Sequence, residues 1–177
     1  DHRDLHSFPT RRSSDLPVFA SLAVPTAPMS TRFLLQAPAA VLARAGDAGA
    51  EAFLRGTLRR DPDPHLRARA AEVAGPVEAL RSDLALAVDD PEVRVREAAI
   101  NAFAAAGGQA PSGLAEALAR RLASDEWTIV RAAAARTLGT LPPLPKVDAA
   151  LAAALTDLYP DVRGSAIDAL GAHKATA

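Results

Sequence analysis

A ten-residue frame returns four times along this chain, and no other feature restricts its fold as much. The frame is Asp, four variable residues, Val or Leu, Arg, two variable residues and Ala. It occurs at Asp61, Leu66, Arg67 and Ala70, then at Asp90, Val95, Arg96 and Ala99. It returns at Asp125, Val130, Arg131 and Ala134, and at Asp157, Val162, Arg163 and Ala166. The Arg-to-Arg spacings are 29, 35 and 32 residues, and the breaker-rich stretches 106–113 and 139–145 absorb the variation. After each Arg the apolar positions continue at helical spacing, as in Val95, Ala99, Ala102 and Phe103. Before each Asp lies a second amphipathic segment, marked by Leu54 and Leu58, by Leu80 and Leu84, by Leu114, Leu118 and Leu122, and by Val147, Leu151 and Leu155. Each unit therefore reads as a helix A, a turn at the Asp and a helix B, closed by glycine at Gly75, Gly139 and Gly171. One such hairpin cannot bury its apolar face alone, so neighbouring units must stack.

Composition agrees with stacked helices. Of 177 residues 43 are Ala and seven are aromatic, which favours helix over strand and close helix packing over a thick core. A net charge of −1 supplies no general field to gather nucleic acid or anionic membrane. Eighteen Arg against two Lys fit a GC-rich coding sequence as well as phosphate recognition. The chain has no Cys, so disulfides, thiolate metal sites and cysteine nucleophiles are excluded. The uncharged stretch from Pro17 to Thr31 has 15 residues and three prolines, too short and too broken to span a bilayer.

The last copy nearly spells Asp-Pro-x-Val-Arg-x-x-Ala-x-x-Ala-Leu-Gly, with Asp161, Val162, Arg163, Ala166, Ala169, Leu170 and Gly171. In this the chain resembles the bacterial HEAT-like repeats of the phycobilisome-lyase type, over about Asp47 to Ala172. The resemblance implies an all-α fold, a right-handed α-solenoid of about four two-helix repeats. It carries little on function, because that family includes scaffolds, chromophore lyases, DNA glycosylases and a hydroxylase whose iron is held by repeated His-Glu pairs. The two His beyond the first sixteen residues, His65 and His173, form no such pair.

Three segments follow. Asp1 to Leu16 resembles the conceptual translation of a sequencing-library adapter and is set aside as an artefact, with the natural N-terminus missing. Residues 17–46 read as a linker followed, from Thr31 to Ala45, by a degenerate repeat or a cap that Pro38 interrupts. Residues 47–177 hold the repeats.

Two sets of candidate residues emerge. Asp61, Arg67, Asp90, Arg96, Asp125, Arg131, Asp157 and Arg163 form a ladder in which each Arg pairs with the turn Asp of its own or the next unit, as such an Arg does in the resembling family. Exposed pairs of that kind are worth about 0.2–1 kcal/mol each, so the ladder sets register more than strength. The partner-binding candidates are Glu72, Asn101, Arg136 and Asp168, each five residues after a ladder Arg, on an exposed concave stripe of mixed charge. Trp127 and Tyr159, each two residues after a turn Asp, join them as an aromatic edge. No catalytic constellation, metal set or cofactor loop is legible: Gly107 and Gly108 end a helix, and no Ser has a His and an Asp in a plausible arrangement. The expectation is a non-catalytic, monomeric, cytoplasmic module that binds another protein, with neither nucleic acid nor membrane as partner. The alternatives are a HEAT-like enzyme such as a lyase or glycosylase, and a structural segment of a larger protein.

Overall fold

The structure, a computed structural model, describes residues 27–106 and 110–176. Asp1–Leu16 and most of the linker lie outside them, as do Gly107 and Gly108. Among the described residues there are nine α-helices and no strand. They are α1 (Met29–Arg44), α2 (Ala48–Arg60), α3 (Pro64–Ala74), α4 (Arg81–Ala87), α5 (Val93–Ala106), α6 (Leu114–Ser124), α7 (Thr128–Leu138), α8 (Pro145–Ala154) and α9 (Pro160–Thr176).

The order is the expected alternation of A and B helices, and it folds into an all-α solenoid. The B helices pack in sequence, α1 on α3, α3 on α5, α5 on α7 and α7 on α9, while α2 meets α4 and α6 meets α8 on the other side. Small side chains make the B layer possible: Ala70, Ala71, Ala74, Ala99, Ala102, the run Ala132 to Ala135, Ala166 and Ala169 are all buried. The A helices contribute the bulk, with Phe53, Leu54, Leu80, Leu84, Leu114, Leu118 and Leu151 sealed beneath. The second unit has the shortest repeat spacing, and its A helix is correspondingly reduced to α4 and a preceding 3₁₀ turn, Glu78–Leu80.

Three expectations need correction. Helix α1 runs unbroken through Pro38. Pro38 and Leu34, whose carbonyl loses its donor there, are both exposed, so water can replace the missing bond. Gly75 and Gly139 do follow B helices, but both have right-handed backbone angles, and Gly171 lies inside α9. Their purpose is close approach: a Cβ on Gly75 would lie 2.8 Å from the Ala102 carbonyl oxygen, and one on Gly139 would lie 2.7 Å from the Ala169 Cα. Left-handed glycines occur at Gly46 and Gly113, at the turns that lead into A helices. Finally Leu155, read as part of an apolar face, is exposed beyond the end of α8.

Candidate functional site

The ladder is built in the same way three times. Each turn Asp accepts the backbone N–H two residues on, from Glu92 to Asp90 at 2.9 Å, from Trp127 to Asp125 at 3.0 Å and from Tyr159 to Asp157 at 2.9 Å. This closes the A-to-B turn and aims the carboxylate back along the stack. The Arg of the preceding unit meets it with a fork. Arg67 Nε and Nη2 donate to Asp90 at 2.9 and 2.9 Å, Arg96 to Asp125 at 2.8 and 3.1 Å, and Arg131 to Asp157 at 2.9 and 3.1 Å. The remaining Nη1 donates to the carbonyl of its own unit's turn Asp, Asp61, Asp90 or Asp125. Three nitrogens fixed in one plane are what such bridging needs, and the single nitrogen of Lys could not provide it.

The rungs are not the exposed pairs that the sequence suggested. The side chains of Arg96 and Asp125 are only 6% and 1% exposed, and the Arg67 and Arg131 pairs are mostly buried. The hydrogen bond from Arg131, against partial burial, holds the Asp157 carboxyl below its ordinary range. For Asp125 burial pushes upward, but the Arg96 hydrogen bond, the Trp127 N–H and the charges of Arg96 and Arg121 together bring it lower. Arg67 and Arg131 are raised above the ordinary guanidinium value, chiefly by their bonds to Asp90 and Asp157.

The ladder also extends one rung further than its frame. Arg32 on α1, 35 residues before Arg67, pairs with Asp61. Helix α1 therefore takes the place of a B helix against α3. The spacing alone could have disclosed Arg32, since Arg96 and Arg131 are equally far apart, but Leu35 stands where the frame has Ala. Two further clamps escaped sequence reading. Asp83 on α4 takes ion pairs from Arg55 and Arg59 of α2. His173 is buried with Nδ1 2.6 Å from Asp148 Oδ1 and Nε2 3.0 Å from the Leu138 carbonyl oxygen, fastening α9 to the A helix before it and to α7.

On the B-helix face the four stripe residues are exposed and lie in two neighbouring clefts. Glu72 and Asn101 line a cleft of about 550 Å³ together with Phe33, His65, Arg69 and Arg94. Arg136 and Asp168 line a second, of about 430 Å³, with Ile129, Asp161 and Ser165. Glu97 borders both and makes one groove of them. Within the first cleft the Arg69 guanidinium lies 5.7 Å from the Phe33 ring centre and bonds Glu72 at 2.9 Å. Three arginines in the groove, Arg69, Arg94 and Arg136, face four carboxylates, Glu72, Glu97, Asp161 and Asp168, so it is no basic channel.

Trp127 and Tyr159 stand at equivalent turn positions, 49% and 46% exposed, next to cleft residues Thr128 and Pro160. They differ in support. Tyr159 covers the Arg131 guanidinium at 5.5 Å from its ring centre, whereas the Trp127 indole N–H reaches only the neighbouring Glu126 carboxylate. The same turn position holds Asp63 and Glu92 in the first two units, so the aromatic edge belongs to the C-terminal half. Among the described residues, no group of three or more His, Asp or Glu converges to hold a metal ion, and no helix is long and apolar enough to cross a membrane.

Comparison with known proteins fits this architecture. The sequence profile of the HEAT repeats matches residues 80–171. Among curated proteins no sequence matches the chain. A solved structure of human deoxyhypusine hydroxylase in complex with glycerol aligns with 89% of this chain and 95% of its own, at 19% identity and a TM-score of 0.35, too low a score to argue from.

Proposed function

From a chain that belongs to the HEAT repeat family, we propose a non-catalytic interaction module that binds a partner protein along its B-helix groove and aromatic edge. The observation that carries this reading is the groove itself. Two clefts joined at Glu97 run across α3, α5, α7 and α9, and exposed Trp127 and Tyr159 flank the second. A stacked scaffold offers such a surface already formed, so little ordering cost falls on the protein when the partner arrives. Alternating Arg and carboxylate groups along the groove favour a protein segment of mixed charge over a polyanion, and Trp127 and Tyr159 supply the anchors that dominate binding energy at protein interfaces.

The test is affinity capture from a lysate of the source organism with the full chain, with and without nuclease, against Trp127→Ala/Tyr159→Ala and Glu97→Arg. One stoichiometric protein, kept after nuclease and lost in both variants, is the expected result. Material lost with nuclease, or a protein retained by both variants, would overturn the reading.

A further inference from the structure

His173 on α9 faces two oxygen acceptors at once. Its Nδ1 lies 2.6 Å from Asp148 Oδ1 on α8, and its Nε2 lies 3.0 Å from the carbonyl oxygen of Leu138, the last residue of α7. A carbonyl oxygen has no proton to give and neither has a carboxylate, whereas a neutral imidazole carries a single N–H. With one proton shared between ring and carboxylate, one of the two contacts would set a nitrogen lone pair against an oxygen lone pair, at a side chain only 5% exposed. Two protons satisfy both contacts.

The second proton belongs on the ring. Asp148 stands in the first turn of α8, where the helix favours a negative charge, and its side chain is 41% exposed, so water also solvates that charge. Leu138 ends α7, where the carbonyls of the final turn favour a cation. The other charged groups of the helices packed on α9 are engaged elsewhere: on α7 Arg131 bonds Asp157 and Arg136 reaches Ser165, and on α8 Lys146 borders a cleft with Glu116 and Arg120 of α6. On α9 itself Lys174 is exposed, Asp161 and Asp168 line the groove, and Arg163 holds carbonyls of its own turn.

We infer that His173 is a proton-operated clamp: doubly protonated it fastens α9 to the end of α7 and the start of α8, and loss of one proton as the pH rises makes one fastening repulsive and loosens α9. The position gives the clamp leverage. Ala169, one turn before His173, is the residue that lies against Gly139, and Asp161, Ser165 and Asp168 form the α9 wall of the second cleft. Proton loss therefore shifts a wall of that cleft, whatever occupies it. The stability that such a clamp adds is present at low pH and is lost as the pH rises, opposite in sign to that of the ladder carboxylates.

The test follows the ring and the helix together in the full chain. Long-range proton–nitrogen correlation, with His173 assigned through its backbone, should show two protonated ring nitrogens at about pH 5 and one at about pH 9, on either side of the ordinary titration of histidine. Across the same step the α9 amides, corrected for intrinsic exchange, should lose about tenfold or more of their protection, in keeping with the loss of a hydrogen bond to a charged group. Asp148→Asn offers an N–H to the Nδ1 lone pair of a neutral ring, so in that variant α9 should stay fastened at the alkaline end and exchange more slowly there than in the unaltered chain. A ring that stays neutral down to the acid end, α9 protection without a step, or a step that persists unchanged in Asp148→Asn would overturn the inference.

Discussion

Replacing Asp125 by Ala should be the most damaging single change in the ladder. The Arg96 guanidinium would then remain almost fully buried without the carboxylate that neutralises it, and removing one partner of such a pair costs about 3–5 kcal/mol. Asp157→Ala acts on a rung with more solvent around it and should cost about 1.5–3 kcal/mol, in the range of a hydrogen bond to a charged group. Arg163→Gln, where the guanidinium bonds the Asp157 and Leu158 carbonyl oxygens and no carboxylate among the described residues, should cost about 1 kcal/mol or less. With a urea slope of about 2 kcal/mol per molar, Asp125→Ala lowers the unfolding midpoint by about 1.5–2.5 M. Because each unit touches only its neighbours, hydrogen exchange should localise the loss to the contact between α5 and α7. The double variant Arg96→Met/Asp125→Leu removes both charges and should recover most of the stability, less about 1 kcal/mol for the lost turn bond at Trp127. Equal losses at the three rungs, or a double variant no better than Asp125→Ala, would refute the claim that burial of the charge sets the magnitude.

Other expectations can be checked by the same denaturation assays. Gly139→Ala places a methyl against the Ala169 backbone and should destabilise the chain by about 1–3 kcal/mol, while Gly171→Ala, with open space before it, should stabilise α9 by about 0.5–1 kcal/mol; the same sign for both would contradict the close-approach argument. Ala134→Leu or Ala99→Leu overfills the B layer and should cost about 1–3 kcal/mol, visible as a lowered midpoint. The Asp125 and Asp157 carboxyls have folded values below the ordinary 3.8, so their stabilisation is complete above that pH and drains away as the pH falls through the depressed values. Acid titration followed by circular dichroism should therefore show a loss beginning near pH 4 that is shallower in Asp157→Asn.

Much of this protein was legible before any coordinates. Turn chemistry and helical periodicity are local properties, so the recurring Asp, the Leu or Val and the Arg three residues before Ala fixed the helix pairs and the existence of a stack. The residue types also named the ladder, because Arg and Asp at constant offset in every unit have an obvious use for each other. The exposed stripe at Glu72, Asn101, Arg136 and Asp168 followed from the helical period in the same way.

Tertiary structure decided what depends on distance through space. It chose the next unit's aspartate over the unit's own for Arg67, Arg96 and Arg131, and it buried the rungs that exposed pairs would have left weak, since the following repeat covers them. It drew Arg32 into the ladder despite a broken frame, gave Gly75 and Gly139 their role as crossing points in place of caps, and set His173 between Asp148 and the Leu138 carbonyl. It also separated residues that the sequence treats alike: Ile167 and Gly171 repeat earlier positions, yet among the described residues Ile167 is exposed and Gly171 has open space before it. A periodic sequence determines what each unit can offer to the next, whereas only the assembled stack determines which offers are taken up.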